Sequence, residues 1–219
     1  ELAKDALFVL KVFFGRQRKF IHGSSRIIAV SQAVKKALID ETYVSDQKVV
    51  VINNGLDPSL FNKSEENSGS KPTYPEILYV GQVTKSKGLL TLLNLALEEE
   101  FSQTKFNIFG DGDFYDELKK KVSALGISDR FILFGKKPYS ELLSILKQHE
   151  DCIFCFPTKR YEGFPMVLVE ALFLGFPIVA YNVGGVSDAI KNEETGFLIP
   201  SENYSLMKDK ILFLLNNKE

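Results

Sequence analysis

From Ile77 onward the sequence repeats one pattern, a short uninterrupted apolar run followed by a longer amphipathic stretch. "ILYVG" leads to "LLTLLNLALEE", "KFNIFG" to "FYDELKKKVSALG", "RFILFG" to "SELLSILKQ", "CIFCFP" to "PMVLVEALFLG" and "PIVAYN" to "VSDAIKN". "GFLIP" and "LMKDKILFLLNN" close the series. Apolar runs of this length without polar alternation are strands buried on both faces, and the stretches between them have helical spacing. Strands alternating with helices make a parallel sheet covered on both sides. The pattern therefore predicts an α/β fold, a Rossmann-like parallel sheet with helices on both faces, over residues 76–219. In such a fold ligands sit at the carboxyl ends of the strands. Gly81, Gly110, Gly135 and Pro157 mark those ends.

The first sixty residues do not join this series. "ELAKDALFVLKVFFGRQRKFIHGSS" reads as a helix with a basic end at Arg16, Arg18 and Lys19. It leads into the strand "RIIAVS", the helix "QAVKKALID" with Ser31 as its N-cap, and a second β-branched run, "KVVVINNG". Two strands are too few for a sheet of their own, so residues 1–60 read as the tail of a preceding domain. Residues 61–75, within "LDPSLFNKSEENSGSKPTYPE", are rich in Ser, Pro, Asn and Glu without periodicity and read as a linker.

Composition removes several function classes. Lysine and arginine (27) balance aspartate and glutamate (28), so no net field recruits nucleic acid. Cys152 and Cys155 form a C-x-x-C, but on a strand residues three apart face opposite ways, and both read as buried filler rather than a redox or zinc pair. His22 and His149 fit no metal or triad spacing and read as structural. "ALFVLKVFF" is too short for a membrane span and is interrupted by Lys11. The expectation is a soluble, cytoplasmic chain.

One apolar stretch carries charges that a buried helix does not need: "YEGFPMVLVEALFLGFPIVA", with Glu162 and Glu170. Pro165 suits the first turn of a helix, and Gly175 suits its end. Glu162 and Gly163 then lie in the loop before the helix, with Glu170 on its second turn. The helix body buries Val167, Leu168, Ala171, Leu172 and Leu174. A helix N-terminus favours phosphate, and a glycine there allows close backbone approach. A diphosphate at this end, flanked by two carboxylates that accept hydroxyl hydrogen bonds, describes a nucleotide-sugar site. A helix whose glutamates bond locally or reach solvent is the alternative these residues leave open.

"EGFPMVLVEAL" closely resembles the Glu, seven residues, Glu motif of retaining GT-B glycosyltransferases of family 4, the group 1 type. "RIIAVSQAVKKALID" and "KVVVINNGLDPSLF" resemble the end of that family's acceptor domain. "ILYVGQVTKSKGLLTLL", "FNIFGDGDFYDELKKKVSALGISDRFILFGKKPYSELL" and "GFPIVAYNVGGVSDAIKNEETGFLIP" resemble its donor domain, in the family's order. The resemblance implies a partial acceptor domain at 1–60, a linker at 61–75 and a nucleotide-sugar donor domain at 76–219, truncated at both ends of the chain. It also assigns roles. Glu162 approaches the donor sugar, Glu170 holds the ribose hydroxyls, and backbone at Gly163, Phe164, Pro165, Met166 and Val167 holds the diphosphate. Pro165 has no N–H to give, which leaves Phe164, Met166 and Val167 as the donors.

Lys87, in "SKG", matches a basic residue that neutralises the leaving diphosphate. Gln82, directly after Gly81, stands where an arginine is common; either Lys85 compensates or activity is weakened. Gly110 and Gly112 approach the nucleotide, Lys136 lines the base pocket, and Gly184 and Gly185 form another rim loop. Asp111 and Asp113 read as a turn and helix cap, and no metal or other cofactor is expected beyond the nucleotide-diphosphate sugar itself. The implied activity is retaining sugar transfer to a sugar or lipid-linked acceptor, in polysaccharide or glycolipid biosynthesis. A non-catalytic nucleotide-sugar-binding module is the alternative. The segment from Arg16 to Arg26 offers peripheral contact with anionic lipid at the inner membrane face, against the alternative of an ordinary solvated helix end.

Overall fold

A computed structural model describes residues 19–61, 75–149 and 152–217. Expectations for the opening helix through Arg18 and for most of the linker lie outside the described residues. Near the amino end, β1 (Ile27–Ala29) and β2 (Val49–Val51) pair in parallel, with helix α1 (Gln32–Thr42) between them in sequence. Ala29, Leu38, Val44 and Val49 form a small core under the helix. The opposite face of the strand pair leaves Ile28 and Val50 exposed. Ser31 is the N-cap of α1, its Oγ accepting the Val34 N–H at 3.1 Å. Ser31→Ala should therefore cost about 1 kcal/mol, read as a lower urea midpoint with an unchanged slope.

Six strands form the main sheet: β3 (Glu76–Val80), β4 (Lys105–Phe109), β5 (Phe131–Gly135), β6 (Ile153–Phe156), β7 (Ile178–Asn182) and β8 (Phe197–Pro200). All five pairings are parallel, and the spatial order is β5-β4-β3-β6-β7-β8. Numbered within this sheet, that is 3-2-1-4-5-6, the doubly wound order.

Side chains alternate strictly across the sheet. Ile77, Tyr79, Phe106, Ile108, Ile153, Cys155, Val179 and Tyr181 enter one core. That face is covered by α2 (Leu89–Leu97), α3 (Tyr115–Ala124) and α7 (Tyr204–Asn216). Leu78, Val80, Phe109, Cys152, Phe154, Phe156, Ile178 and Ala180 enter the other, under α4 (Tyr139–Leu146), α5 (Met166–Phe173) and the single turn α6 (Val186–Ala189). The two cysteines are fully buried in different cores, as the strand reading expects. Among the described residues no helix is long and apolar enough to cross a membrane.

Candidate active site

The strand order reverses between β3 and β6, which are neighbours in the sheet although β4 and β5 intervene in sequence. Loops leaving the two strands run to opposite faces, and in doubly wound folds ligands sit at the carboxyl ends of such a strand pair. Glycines let the loops above β3, β4 and β5 pack backbone to backbone. Gly81 donates to the Phe109 carbonyl at 3.0 Å, and Gly110 to the Gly135 carbonyl at 2.9 Å. Gly110 has φ +141°, and a Cβ there would lie 1.8 Å from the Gly81 carbonyl oxygen. A Cβ on Gly112 would lie 2.5 Å from the Val83 oxygen. Tyr79 is buried beneath this layer and donates its O–H to the Gln82 carbonyl at 2.7 Å. The Gln82 and Lys136 side chains are exposed on the rim.

Beyond Gly81 the chain makes a tight turn at Lys85–Lys87, and Gly88, in the left-handed region, swings it into α2. The turn is fastened to the loop after β6, because the Lys159 and Arg160 amides both donate to the Ser86 carbonyl. That docking places Lys87 Nζ 2.5 Å from Glu162 Oε1. Thr158 Oγ1 donates to the same oxygen at 3.2 Å, and the ammonium lies 5.7 Å from the centroid of the Phe156 ring. The two paired side chains are only 13% and 16% exposed, so water screens this pair less than a surface one. Lys85 is turned away: it pairs with Glu117 at 2.8 Å and lies over Phe114. It is thus engaged with α3 rather than standing beside Lys87.

The loop carrying Glu162 is held from below by the "NVGG" loop. The Gly185 amide donates to the Glu162 carbonyl at 2.7 Å, and Gly184 has φ +57°, with a virtual Cβ 2.2 Å from that carbonyl oxygen. Pro165 occupies the N-cap rather than the first helical turn, because α5 begins at Met166. At the other end Gly175 (φ +82°) donates to Leu172 and Phe176 donates to Ala171, the paired bonds of a Schellman stop. Among the described residues the Phe164, Met166 and Val167 amides have no backbone acceptor, as is general for the first N–H groups at a helix start.

Glu170 lies one turn into α5 and accepts the Tyr139 O–H at 3.3 Å across from α4. Burial pushes its carboxyl above the usual glutamate range, and the Tyr139 hydrogen bond offsets only part of that. The amino-terminal unit also reaches this rim. Asp188 accepts the Gln32 N–H at 2.7 Å, and Val30 and Val34 flank Gly163.

The sequence-predicted residues thus fall into two groups. Lys87 and Glu162 meet as an ion pair, with Gly163 to Val167 beside them, and Gly81, Gly110 and Gly112 form the floor. Gln82 and Lys136 are on the rim, where no side-chain partner fixes them among the described residues. Tyr139, Thr158 and Asp188 are additions. Tyr139 is 31 residues from its partner, and no spacing rule connects such positions. Thr158 precedes Glu162 by four residues within a loop, where helical spacing has no meaning.

A doubly wound sheet carries a cation–carboxylate pair at its switch point, beside helix-start amides without a backbone acceptor, an arrangement whose chemistry suits an anionic group. Residues 61–219 match the family described as Glycosyl transferases group 1, and residues 4–60 match Glycosyltransferase Family 4. The chain belongs to the group 1 glycosyl transferases, of GT-B type. It is 32% identical over 218 residues to an uncharacterized glycosyltransferase of Methanocaldococcus jannaschii, covering 98% of this chain and 57% of that protein. It is 30% identical over 188 residues to the UDP-Gal:alpha-D-GlcNAc-diphosphoundecaprenol alpha-1,3-galactosyltransferase of Escherichia coli, covering 80% of this chain and 47% of that protein. The chain spans about half the length of the curated relatives it matches. Among solved structures, Anabaena HepE in complex with UDP and glucose shares the fold, with a TM-score of 0.80 at 21% identity over 97% of this chain and 58% of that one.

Proposed function

We propose that this chain supplies the donor site of a retaining glycosyltransferase, moving a sugar from a nucleotide diphosphate to an acceptor hydroxyl. The observation that carries the reading is the Lys87–Glu162 pair at the switch point, beside the unpaired amides that open α5. The diphosphate takes the Phe164, Met166 and Val167 N–H groups and the Lys87 ammonium. Glu162, released from Lys87, faces the anomeric carbon as its bond to the phosphate oxygen breaks and positive charge develops there. The acceptor oxygen bonds the same face, and its proton passes to the departing phosphate, so no enzyme base and no metal is assigned to this step. Glu170 accepts the ribose hydroxyls. The Escherichia coli relative's name and the Anabaena complex make UDP sugars the first donors to test and a lipid-linked saccharide the first acceptor. A lipid-linked acceptor would place the reaction at the cytoplasmic face of a membrane.

Titration with UDP, GDP and ADP, followed by calorimetry, tests the donor site. One nucleotide should bind selectively, and Glu170→Ala should weaken it by roughly tenfold to a hundredfold, the loss of one to two hydrogen bonds to a charged acceptor. Because burial raises the Glu170 carboxyl, it takes up a proton at a higher pH than an ordinary glutamate. The neutral acid accepts poorly, so affinity should be full above that pH and fall on acidification from there. Glu170→Gln should flatten that fall. A folded chain that binds none of the three nucleotides would refute the donor-site reading.

A further inference from the structure

The amino-terminal edge of the main sheet, opposite the crevice, holds a second cluster of reactive side chains. Glu76 opens β3 there and is only 7% exposed. An isolated carboxylate at such depth is costly, so its surroundings must compensate. Three side chains converge on a single oxygen, Oε2. His149 Nδ1 lies 2.6 Å away, Asn107 Nδ2 donates at 3.0 Å, and Cys152 Sγ donates at 3.4 Å. Burial raises the Glu76 carboxyl, but the His149 and Cys152 contacts and the charge of Lys105 outweigh it and hold it below the usual range. The participants come from β3, β4 and the connection between α4 and β6. The reaction assigned above uses none of them.

The donor set has a specific chemistry. A carboxylate oxygen, an imidazole nitrogen and a thiol sulfur lie with their ligand atoms all within 4.8 Å of one another. Oxygen, nitrogen and sulfur ligands in this combination suit zinc and its neighbours among the divalent transition metals rather than calcium or magnesium. We propose that Glu76, His149 and Cys152 form a binding site for a divalent transition-metal ion of the zinc type. Binding releases the Cys152 thiol proton to solvent and leaves the His149 imidazole protonated on Nε2, with Nδ1 on the metal. Thiolate and carboxylate together neutralise the ion. Lys105, in register opposite Glu76, now compensates the carboxylate and faces the incoming charge, which the new thiolate offsets. Asn107 keeps its contact with Oε2 and fixes the carboxylate's orientation, as outer partners of metal ligands do.

Three protein ligands leave a fourth position for water. His149 is the least buried of the three, with a side chain 21% exposed, and provides the way in. The ion would staple β3 to the segment leading into β6, the two strands that flank the switch point at the sheet's other end. Its effect falls on stability and not on the transfer chemistry.

Titration of the reduced full chain with Co2+ tests the site. The expected result is one equivalent bound, with visible bands of a tetrahedral ion and a thiolate-to-cobalt band in the near ultraviolet, both displaced by Zn2+. Zn2+ at a hundredfold excess over its dissociation constant should raise the melting temperature by on the order of 5 °C. Cys152→Ser should abolish the near-ultraviolet band and His149→Ala should weaken binding at least tenfold, whereas Cys155→Ala, on the other face of the sheet, should leave both unchanged. His149 is the least buried of the three, so its variant decides the matter if Cys152→Ser does not fold. No thiolate band, or a band that survives Cys152→Ser, would overturn the proposal.

Discussion

Glu162→Gln lowers sugar transfer by about two to three orders of magnitude while leaving nucleotide affinity nearly unchanged or slightly higher. The amide keeps the shape of the carboxylate and can still accept from Lys87 and Thr158, so the loop should hold its position. It loses the negative charge that, in the proposed mechanism, opposes the cationic anomeric carbon as the donor bond breaks, an interaction made in the transition state and not in the bound nucleotide. Lys87 is freed of its competitor for phosphate, which is why affinity does not drop. Lys87→Ala should behave differently, weakening nucleotide binding and turnover together, because the proposed contact of the ammonium with the diphosphate exists in both states. Steady-state turnover and calorimetry on the same preparations separate the two patterns. Normal turnover in Glu162→Gln would remove this residue from the reaction centre.

Gly88→Ala should destabilise the fold by about 4 kcal/mol, one of the largest losses open to a single methyl group. Two penalties combine. Gly88 sits at φ +76°, a region that costs an ordinary residue about 1–2 kcal/mol. Its Cβ would also lie 1.8 Å from the Pro157 carbonyl oxygen and 2.7 Å from the carbonyl carbon, both backbone atoms with no rotamer to escape into. The loop after β3 would have to separate from the loop after β6, breaking the Ser86 contacts and carrying Lys87 from Glu162. Gly126 provides the control. It has φ +69° with open space around it, so Gly126→Ala should cost only the conformational part. Urea denaturation of the two variants, read side by side, measures the contact term by difference. Equal losses would show that the loops part easily.

The sheet was legible because continuous apolar runs mean burial on both faces, and every run from "ILYVG" to "GFLIP" contains a strand. Strand termini were legible as well, since Gly81, Gly110 and Pro157 directly follow β3, β4 and β6, and Gly135 ends β5. Helix limits were less so. Pro165 stands one place outside its helix, and "VSDAIKN" yields a helix only at Val186–Ala189, after which Ile190 turns to extended geometry. Lys87 and Glu162 stand out singly in the sequence, by the motifs around them, and only the doubly wound strand order brings them together. Tyr139 and the Glu76, His149 and Cys152 group carry no sequence signal for the same reason. Their spacings in sequence carry no period, and His149 and Cys152 read alone are an ordinary histidine and a strand cysteine.

The ion pair between Lys87 and Glu162 gives the proposed crevice the character of a one-for-one ion exchanger. The ammonium would meet an incoming phosphate already balanced by a carboxylate, so a bound nucleotide would displace a tethered counterion rather than one drawn from solution. The carboxylate set free would not diffuse away, because its loop is tied to Gly185 and to Ser86. On the proposed reading, the counterion displaced at one end of the donor would be delivered to the other, where the sugar carbon needs it.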